Sequence, residues 1–273
     1  MEQRTVHCRN HRLELGNKTL IMGILNLTPD SFSDGGKYFN LEQALKHAEQ
    51  LVSEGADILD IGAESTRPGY TSVSPLEEWA RLEPVLTELI RYCPIPISID
   101  TQKATVAEKA LKMGVQIIND IWGLQKDPQM AKVISDYKAG VILMHNREST
   151  EYQNLVAEII IFLNYSVQIA LNHGIKKEQI IIDPGIGFGK TLEQNIEVIQ
   201  KLSELKALGF PLLLGVSRKS IIGKTLYLPI EERLGPTIAL ETLGLLAGVD
   251  ILRVHDVREN KNAAQMVDRI VRY

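Results

Sequence analysis

Leu20-Ile21-Met22-Gly23-Ile24-Leu25-Asn26 is an unbroken apolar run that ends on a carboxamide. Such a run suits a strand covered on both faces, as in a parallel sheet, and suits a strand with one wet face poorly. Beyond Asn26 the chain reads Leu27-Thr28-Pro29-Asp30-Ser31-Phe32-Ser33-Asp34-Gly35-Gly36. Its proline and glycine pair exclude regular structure, and its other side chains are rich in hydroxyl and carboxylate oxygens. The reading is a polar loop hung from the end of a buried strand.

The same plan recurs down the chain. Asn40 can cap a helix carrying Leu41, Ala44, Leu45, Ala48, Leu51 and Val52, which stops at Gly55. Asp57-Ile58-Leu59-Asp60-Ile61 then opens into Ala63-Glu64-Ser65-Thr66-Arg67-Pro68-Gly69, and Ser74-Pro75-Leu76-Glu77 starts the next helix with a capping box. Further apolar runs end at Asp100, Asn119, Met144-His145, Asp183, Val216 and Val254, each followed by a helical stretch; Thr101 or Gln102 begins the third helix. Eight strand-then-helix units in 273 residues fit an α/β chain folded as a single (β/α)8 TIM barrel, whose usual size is about 250 residues. Residues 1–18 read as a short polar lead-in, with a hairpin as one option, and 19–273 as the barrel. An open doubly wound sheet would gather ligands at one switch point, whereas here almost every strand terminates in a polar residue.

Composition narrows the function. With 44% hydrophobic and 23% charged residues the chain can bury a substantial core, and a net charge of −4 with dispersed Lys and Arg argues against a nucleic-acid surface. No apolar segment approaches the ~20 residues of a bilayer span, and the N-terminus lacks a signal-peptide core, so the cytoplasm is the expected location. Cys8 and Cys93 have neither metal nor redox spacing.

Collected around one rim, the strand ends supply Asn26, Thr66, Arg67, Asp100, Asn119, His145, Asp183, Lys219, Arg253 and His255. A buried unpaired charge is costly, so each either meets a ligand or is satisfied by a neighbour. Asp100, Asn119 and Asp183 suit a flat heterocycle that displays N–H groups. Arg67, Lys219, Arg253 and His255, with Asn26, suit a phosphate-bearing anion. Arg253 and His255 alternate about Val254 and so share a face. His145 reads best as a satisfied structural histidine, and Arg218 is as readily a solvated partner of Lys219 as a ligand. Gly185-Ile186-Gly187-Phe188-Gly189 lacks the spacing of a dinucleotide fingerprint.

In Gly23-Ile24-Leu25-Asn26 through Gly36, Glu64 to Gly69, Ile97 to Thr101, Ile117 to Asp120, Leu143-Met144-His145, Asp183 to Thr191, Ser217-Arg218-Lys219-Ser220 and Arg253 to Asp256, the chain closely resembles the dihydropteroate synthases. The segments span nearly the whole chain in order. The resemblance implies a transferase that joins 4-aminobenzoate to 6-hydroxymethyl-7,8-dihydropterin diphosphate, usually with Mg2+, as a cytoplasmic homodimer sensitive to sulfonamides. By resemblance Asp100, Asn119, Met144, Asp183, Phe188 and Lys219 bind the pterin, with Asp100, Asp183 and Lys219 central to catalysis. Asn26, Thr66, Arg67, Arg253 and His255 are expected at the diphosphate, Asn26 also as the Mg2+ ligand, and Asp34 joins only once its loop closes. Phe32, Thr66, Pro68, Phe188, Lys219 and Ser220 are expected at the aminobenzoate. Ala63, Ile221 and Pro236 depart from the family pattern. Two other functions fit the fold: a barrel transferring a methyl group from a folate to a corrinoid, and an inactive pterin-binding protein. The Phe32 loop and the Ser217-Arg218-Lys219-Ser220 end speak against the first, and an intact set of anion-binding residues speaks against the second.

Overall fold

Two antiparallel strands, β1 (Arg4–Cys8) and β2 (His11–Leu15), precede eight parallel ones. These are β3 (Leu20–Asn26), β4 (Ile58–Gly62), β5 (Ile97–Asp100), β6 (Ile117–Asp120), β7 (Gly140–Met144), β8 (Ile180–Asp183), β9 (Leu213–Leu214) and β10 (Ile251–Val254). The computed structural model describes residues 3–28, 41–64 and 73–272. Neighbours run β8-β7-β6-β5-β4-β3-β10-β9, and a parallel bridge between Ile182 and Leu212 joins the two ends into a barrel. The expected fold is the observed one.

Helices wrap the outside: α1 (Leu41–Glu54), α2 (Pro75–Tyr92), α3 (Ala104–Met113), α4 (Met130–Asp136), α5 (Leu155–Asn172), α6 (Leu192–Gln200), α7 (Ser220–Leu226), α8 (Leu234–Leu246) and α9 (Val257–Val271). The Ser74 side chain accepts from Glu77 N, but the Glu77 carboxylate turns to Arg81, so only half of the expected capping box forms there, whereas Thr191 with Gln194 forms the full reciprocal box. The third helix starts later than expected, because Thr101 takes the Lys103 N–H and Asp127 caps Ala104 from another loop. Pro236 falls in the first turn of α8, where no intrahelical N–H is needed. Asn40 lies outside the described residues. Helix α5, at 18 residues, comes nearer a span's length than the sequence reading allowed. Leu155, Val156, Ile159, Leu163, Val167 and Ala170 bury one side of it in the layer between helices and barrel.

Strand alternation sorts the residues into two cores. Ile21, Leu25, Leu59, Ile61, Ile99, Ile118, Val141, Leu143, Ile182, Leu214 and Val254 pack outward with the helices. Met22, Ile58, Ile117, Ile142, Ile181, Leu213 and Ile251 form one apolar cluster with Val6, Cys8, Leu13 and Leu15 of the hairpin. The lead-in is therefore a plug for the N-terminal end of the barrel. Arg9 fixes its turn by donating to Leu111 O and Val115 O at the end of α3. Two residues further along the same inward face, the apolar layer gives way to Asp60, Asn119, Asp183 and Arg253, with Met144 between them. That switch from apolar to polar on one face makes the C-terminal end of the barrel the place for a site.

Candidate active site

Arg253 sits at the centre of the polar tier. Its Nε donates to Asp60 Oδ2 at 2.6 Å and its Nη2 to Asp100 Oδ2 at 2.8 Å, joining β10 to β4 and β5 across the mouth. Asn119 Nδ2 also donates to Asp60 Oδ2, at 3.3 Å. Asp60 Oδ1 and Asp100 Oδ1 are buried with no hydrogen-bond partner among the described residues. Buried polar atoms are rarely left in that state, so two acceptors in the mouth are open to a ligand's N–H groups. Asp183, on the far side of β7, accepts from Gly185 N at 2.7 Å.

Lys219 reaches the tier from the turn after β9. Arg218 before it adopts a left-handed conformation (φ 56°), held by its N–H to Thr237 Oγ1 and its carbonyl to Arg233 Nη1. The turn carries Lys219 Nζ to Ile186 O, at 2.6 Å, and over the Phe188 ring, 4.8 Å from its centre. Gly215 leaves room here: a Cβ on it would stand 3.7 Å from Arg253 Cβ and 3.8 Å from Lys219 Nζ. The Arg218 guanidinium itself is held by both oxygens of Asp256, as a structural partner and not as Lys219's companion.

Burial raises Asp100 to about 7, against the pull of Arg253 and with the push of Asp60. Burial likewise raises Asp183, opposed by Lys219 and by the Gly185 N–H. Lys219 is lowered to about 8, again by burial, with Asp183 opposing the shift and Arg253 adding to it. Arg253 is buried at a cost to its charge, but Asp60 and Asp100 more than offset that and hold it cationic. Opposed charges close together in a water-poor mouth are what a reaction that separates charge requires.

Asn26, Asp100, Asn119, Met144, Asp183, Phe188, Lys219, Arg253 and His255 all lie at the C-terminal end of the barrel. Ser220 begins α7 and is exposed. His255 Nδ1 is 3.0 Å from Ser217 Oγ. A cleft of about 490 Å3 opens beside Phe188 and Ser220, among Trp122, Asn146, Arg147 and Lys224. His145 points away from the mouth, edge-on to Phe162 with ring centres 4.8 Å apart, consistent with its structural reading. Asp30, Phe32, Asp34, Thr66, Arg67 and Pro68 lie outside the described residues. The ends of the segment 65–72 are nonetheless tied: Glu64 accepts from Val73 N at 2.9 Å and from Gln102 and Lys103, and Lys103 also reaches the buried Glu78 at 2.5 Å.

Asp60 was missing from the sequence-derived constellation. A charge inside the run Ile58-Leu59-Asp60-Ile61, two residues from Ile58 on the same face, was the signal, and strand-end position alone does not register it.

Comparison with known proteins agrees with this geometry. The family model of pterin binding enzymes matches residues 22–255. A dihydropteroate synthase of Clostridium beijerinckii is 52% identical over 259 residues, covering 94% of this chain and 96% of its own. The crystal structure of a Clostridium difficile dihydropteroate synthase, obtained in the presence of pteroic acid, superposes with a TM-score of 0.93 at 54% identity, over 96% of this chain and 100% of that one. The Xanthomonas albilineans enzyme with 4-aminobenzoic acid also gives 0.93, at 38% identity and 98% coverage of both chains. On its inward-facing tier and on these likenesses together, the chain belongs to the dihydropteroate synthase family of pterin-binding enzymes.

Proposed function

We propose that the polar tier binds the pterin of 6-hydroxymethyl-7,8-dihydropterin diphosphate and that its rim holds the diphosphate. The chain is a transferase of its family's reaction, forming 7,8-dihydropteroate and pyrophosphate from that substrate and 4-aminobenzoate. The two open buried oxygens, on Asp60 and Asp100, carry the reading of the tier. Asp100, Asn119, Asp183 and Lys219 hold the ring's edge, and Met144 and Phe188 pack on its faces.

The bond from the pterin's exocyclic methylene to the diphosphate oxygen breaks with its electron pair leaving on the oxygen. Positive charge spreads from the methylene into the ring, and the ionised Asp100 stabilises it. The nitrogen lone pair of 4-aminobenzoate forms the new C–N bond, and the proton that nitrogen sheds passes to the departing diphosphate. Such a cation needs a nucleophile in place more than a strong base. Phe188 and Ser220 border the cleft assigned to the aminobenzoate, and Lys219, Phe32, Thr66 and Pro68 are assigned to the same substrate.

His255, Asn26, Arg253, Thr66 and Arg67 hold the departing diphosphate. No group of three or more His, Cys, Asp or Glu with metal-binding geometry occurs among the described residues. A single carboxamide oxygen on Asn26 fits Mg2+ held largely by waters and substrate phosphates. When bound, Mg2+ neutralises charge on the leaving group, and Asn26 is the protein oxygen that would hold it.

The protein works as a cytoplasmic homodimer in this reading. Helices α8 and α9 pack together and leave Leu243, Leu246, Met266 and Ile270 in solvent, as a second copy would cover. Mixing both substrates with the purified protein, with and without Mg2+, and measuring pyrophosphate and dihydropteroate tests the reading; methyl transfer to a corrinoid in place of pyrophosphate release would overturn it.

A further inference from the structure

The segment Pro184-Gly185-Ile186-Gly187-Phe188-Gly189 wraps around one ammonium group. Lys190 is buried, and its Nζ lies 2.9 Å from Pro184 O, 2.9 Å from Gly185 O, 3.1 Å from Phe188 O and 2.9 Å from His145 Nδ1. Burial lowers Lys190 to about 7, with Asp183 opposing the shift and Lys219 and Arg147 adding to it. As an ammonium it has three N–H donors and no lone pair, so the three hydrogens are shared among four acceptors, His145 Nδ1 accepts and the ring proton sits on Nε2. Burial, Lys190 and Arg147 push His145 down to about 2, which keeps the ring a neutral acceptor. Gly185 has φ 67° and stands so close to β7 that a Cβ would fall 1.9 Å from His145 O. Only glycine permits this wrapping.

The outer face of the same segment serves the pterin end of the site. Ile186 O accepts from Lys219 Nζ, the Phe188 ring lies beneath that Nζ, and Gly185 N donates to Asp183. Carbonyl dipoles that converge on one point repel one another unless a cation occupies it. Tyr152 OH on Gly189 O (2.7 Å) and Asn195 Oδ1 on Gly187 N (2.6 Å) hold the far side independently. Loss of the ammonium would thus free the carbonyls of Pro184, Gly185 and Phe188, and with them shift the intervening Ile186 carbonyl that meets Lys219, without releasing the whole segment.

We propose that Lys190 is a positioning residue: its ammonium, with His145 as fourth partner, shapes the 184–189 segment so that Lys219, Phe188 and Asp183 meet the pterin. This rests on the assignment of Lys219 and Asp183 to the pterin given above.

Lys190→Met keeps the length of the side chain and removes its charge. In protein labelled with 13C at lysine Cε, the Lys219 signal is identified by its loss in Lys219→Met and titrated against pH. In Lys190→Met the Lys219 titration should move away from its wild-type midpoint, and pterin affinity, measured by calorimetry, should fall about tenfold or more, the scale of one charge-assisted contact. The KM for 4-aminobenzoate should change less. An unchanged Lys219 titration overturns the proposal, as does unchanged pterin affinity in a variant whose melting curve shows it folded. If Lys190→Met does not fold, Lys190→Gln, which keeps two N–H donors without the charge, is read by the same criteria. Pterin affinity of Lys219→Met separately tests the assignment beneath it: undiminished binding there refutes the site, while the Lys219 titration in Lys190→Met still decides the positioning.

Discussion

Arg253 on β10 reaches across the mouth of the barrel to Asp100 on β5, with Nη2 and Oδ2 2.8 Å apart. Three strand positions separate the two residues around the barrel, and Asp60 shares the same guanidinium. Two buried carboxylates therefore depend on one cation. Arg253→Met should destabilise the protein by about 3 kcal/mol, because removing one partner of a buried pair leaves the others uncompensated. A denaturant midpoint within error of the wild type, at equal m-value, would show that the pairing is not what holds these acids.

The opposed shifts of Asp100 and Lys219 set a pH window. Asp100 acts ionised and Lys219 charged, so kcat/KM should fall below about 7 and again above about 8. Stability follows the same groups. Folded Asp100 keeps a proton that the unfolded chain loses above its ordinary 3.8, so its contribution is lost as pH rises towards 7. Folded Lys219 gives up a proton that the unfolded chain keeps to 10.5, so its contribution is lost as pH falls through 8. Asp100→Asn should abolish the acid limb of the rate profile; an acid limb that persists in that variant assigns it elsewhere.

Asp183→Ala should abolish pterin binding. Its carboxylate also opposes the lowering of Lys219, so the variant's Lys219 should titrate below 8. Wild-type pterin affinity in a calorimeter contradicts the assignment of this carboxylate to the ring.

His255→Ala removes an imidazole beside Ser217 and leaves the buried tier intact. Affinity for the dihydropterin diphosphate should drop by about tenfold, the scale of one hydrogen bond to a charged group, while affinity for a pterin without phosphates holds. Equal losses for both ligands would refute the division between ring and anion.

Met266 and Ile270 are 65% and 68% exposed on α9. Glutamate at both positions should convert a homodimer to monomers in sedimentation without altering the melting of the monomer. A wild-type protein that sediments as a monomer at working concentration dismisses the dimer outright.

The barrel was legible because its code is local. An apolar run that ends in Asn26, Asp100, Asn119 or Asp183 carries both the strand and its functional end within about five residues, and caps such as Thr191 with Gln194 mark where helices begin. Asp60 was less legible, since a lone acid within an apolar run gives no hint of which partner neutralises it. The plug formed by residues 4–15 was half visible: its strand pattern suggested a hairpin, but nothing in it named the barrel floor as its target.

Alternation along each strand, apolar at the bottom and polar at the top, was thus written in the sequence, because side-chain direction in a strand depends only on position in the chain. Which acid meets which base was decided by folding. Arg253 is 193 residues from Asp60 and 153 from Asp100, and Lys190 is 45 from His145. Pairs so distant are brought together by closure of the barrel, and burial then makes their charges interdependent.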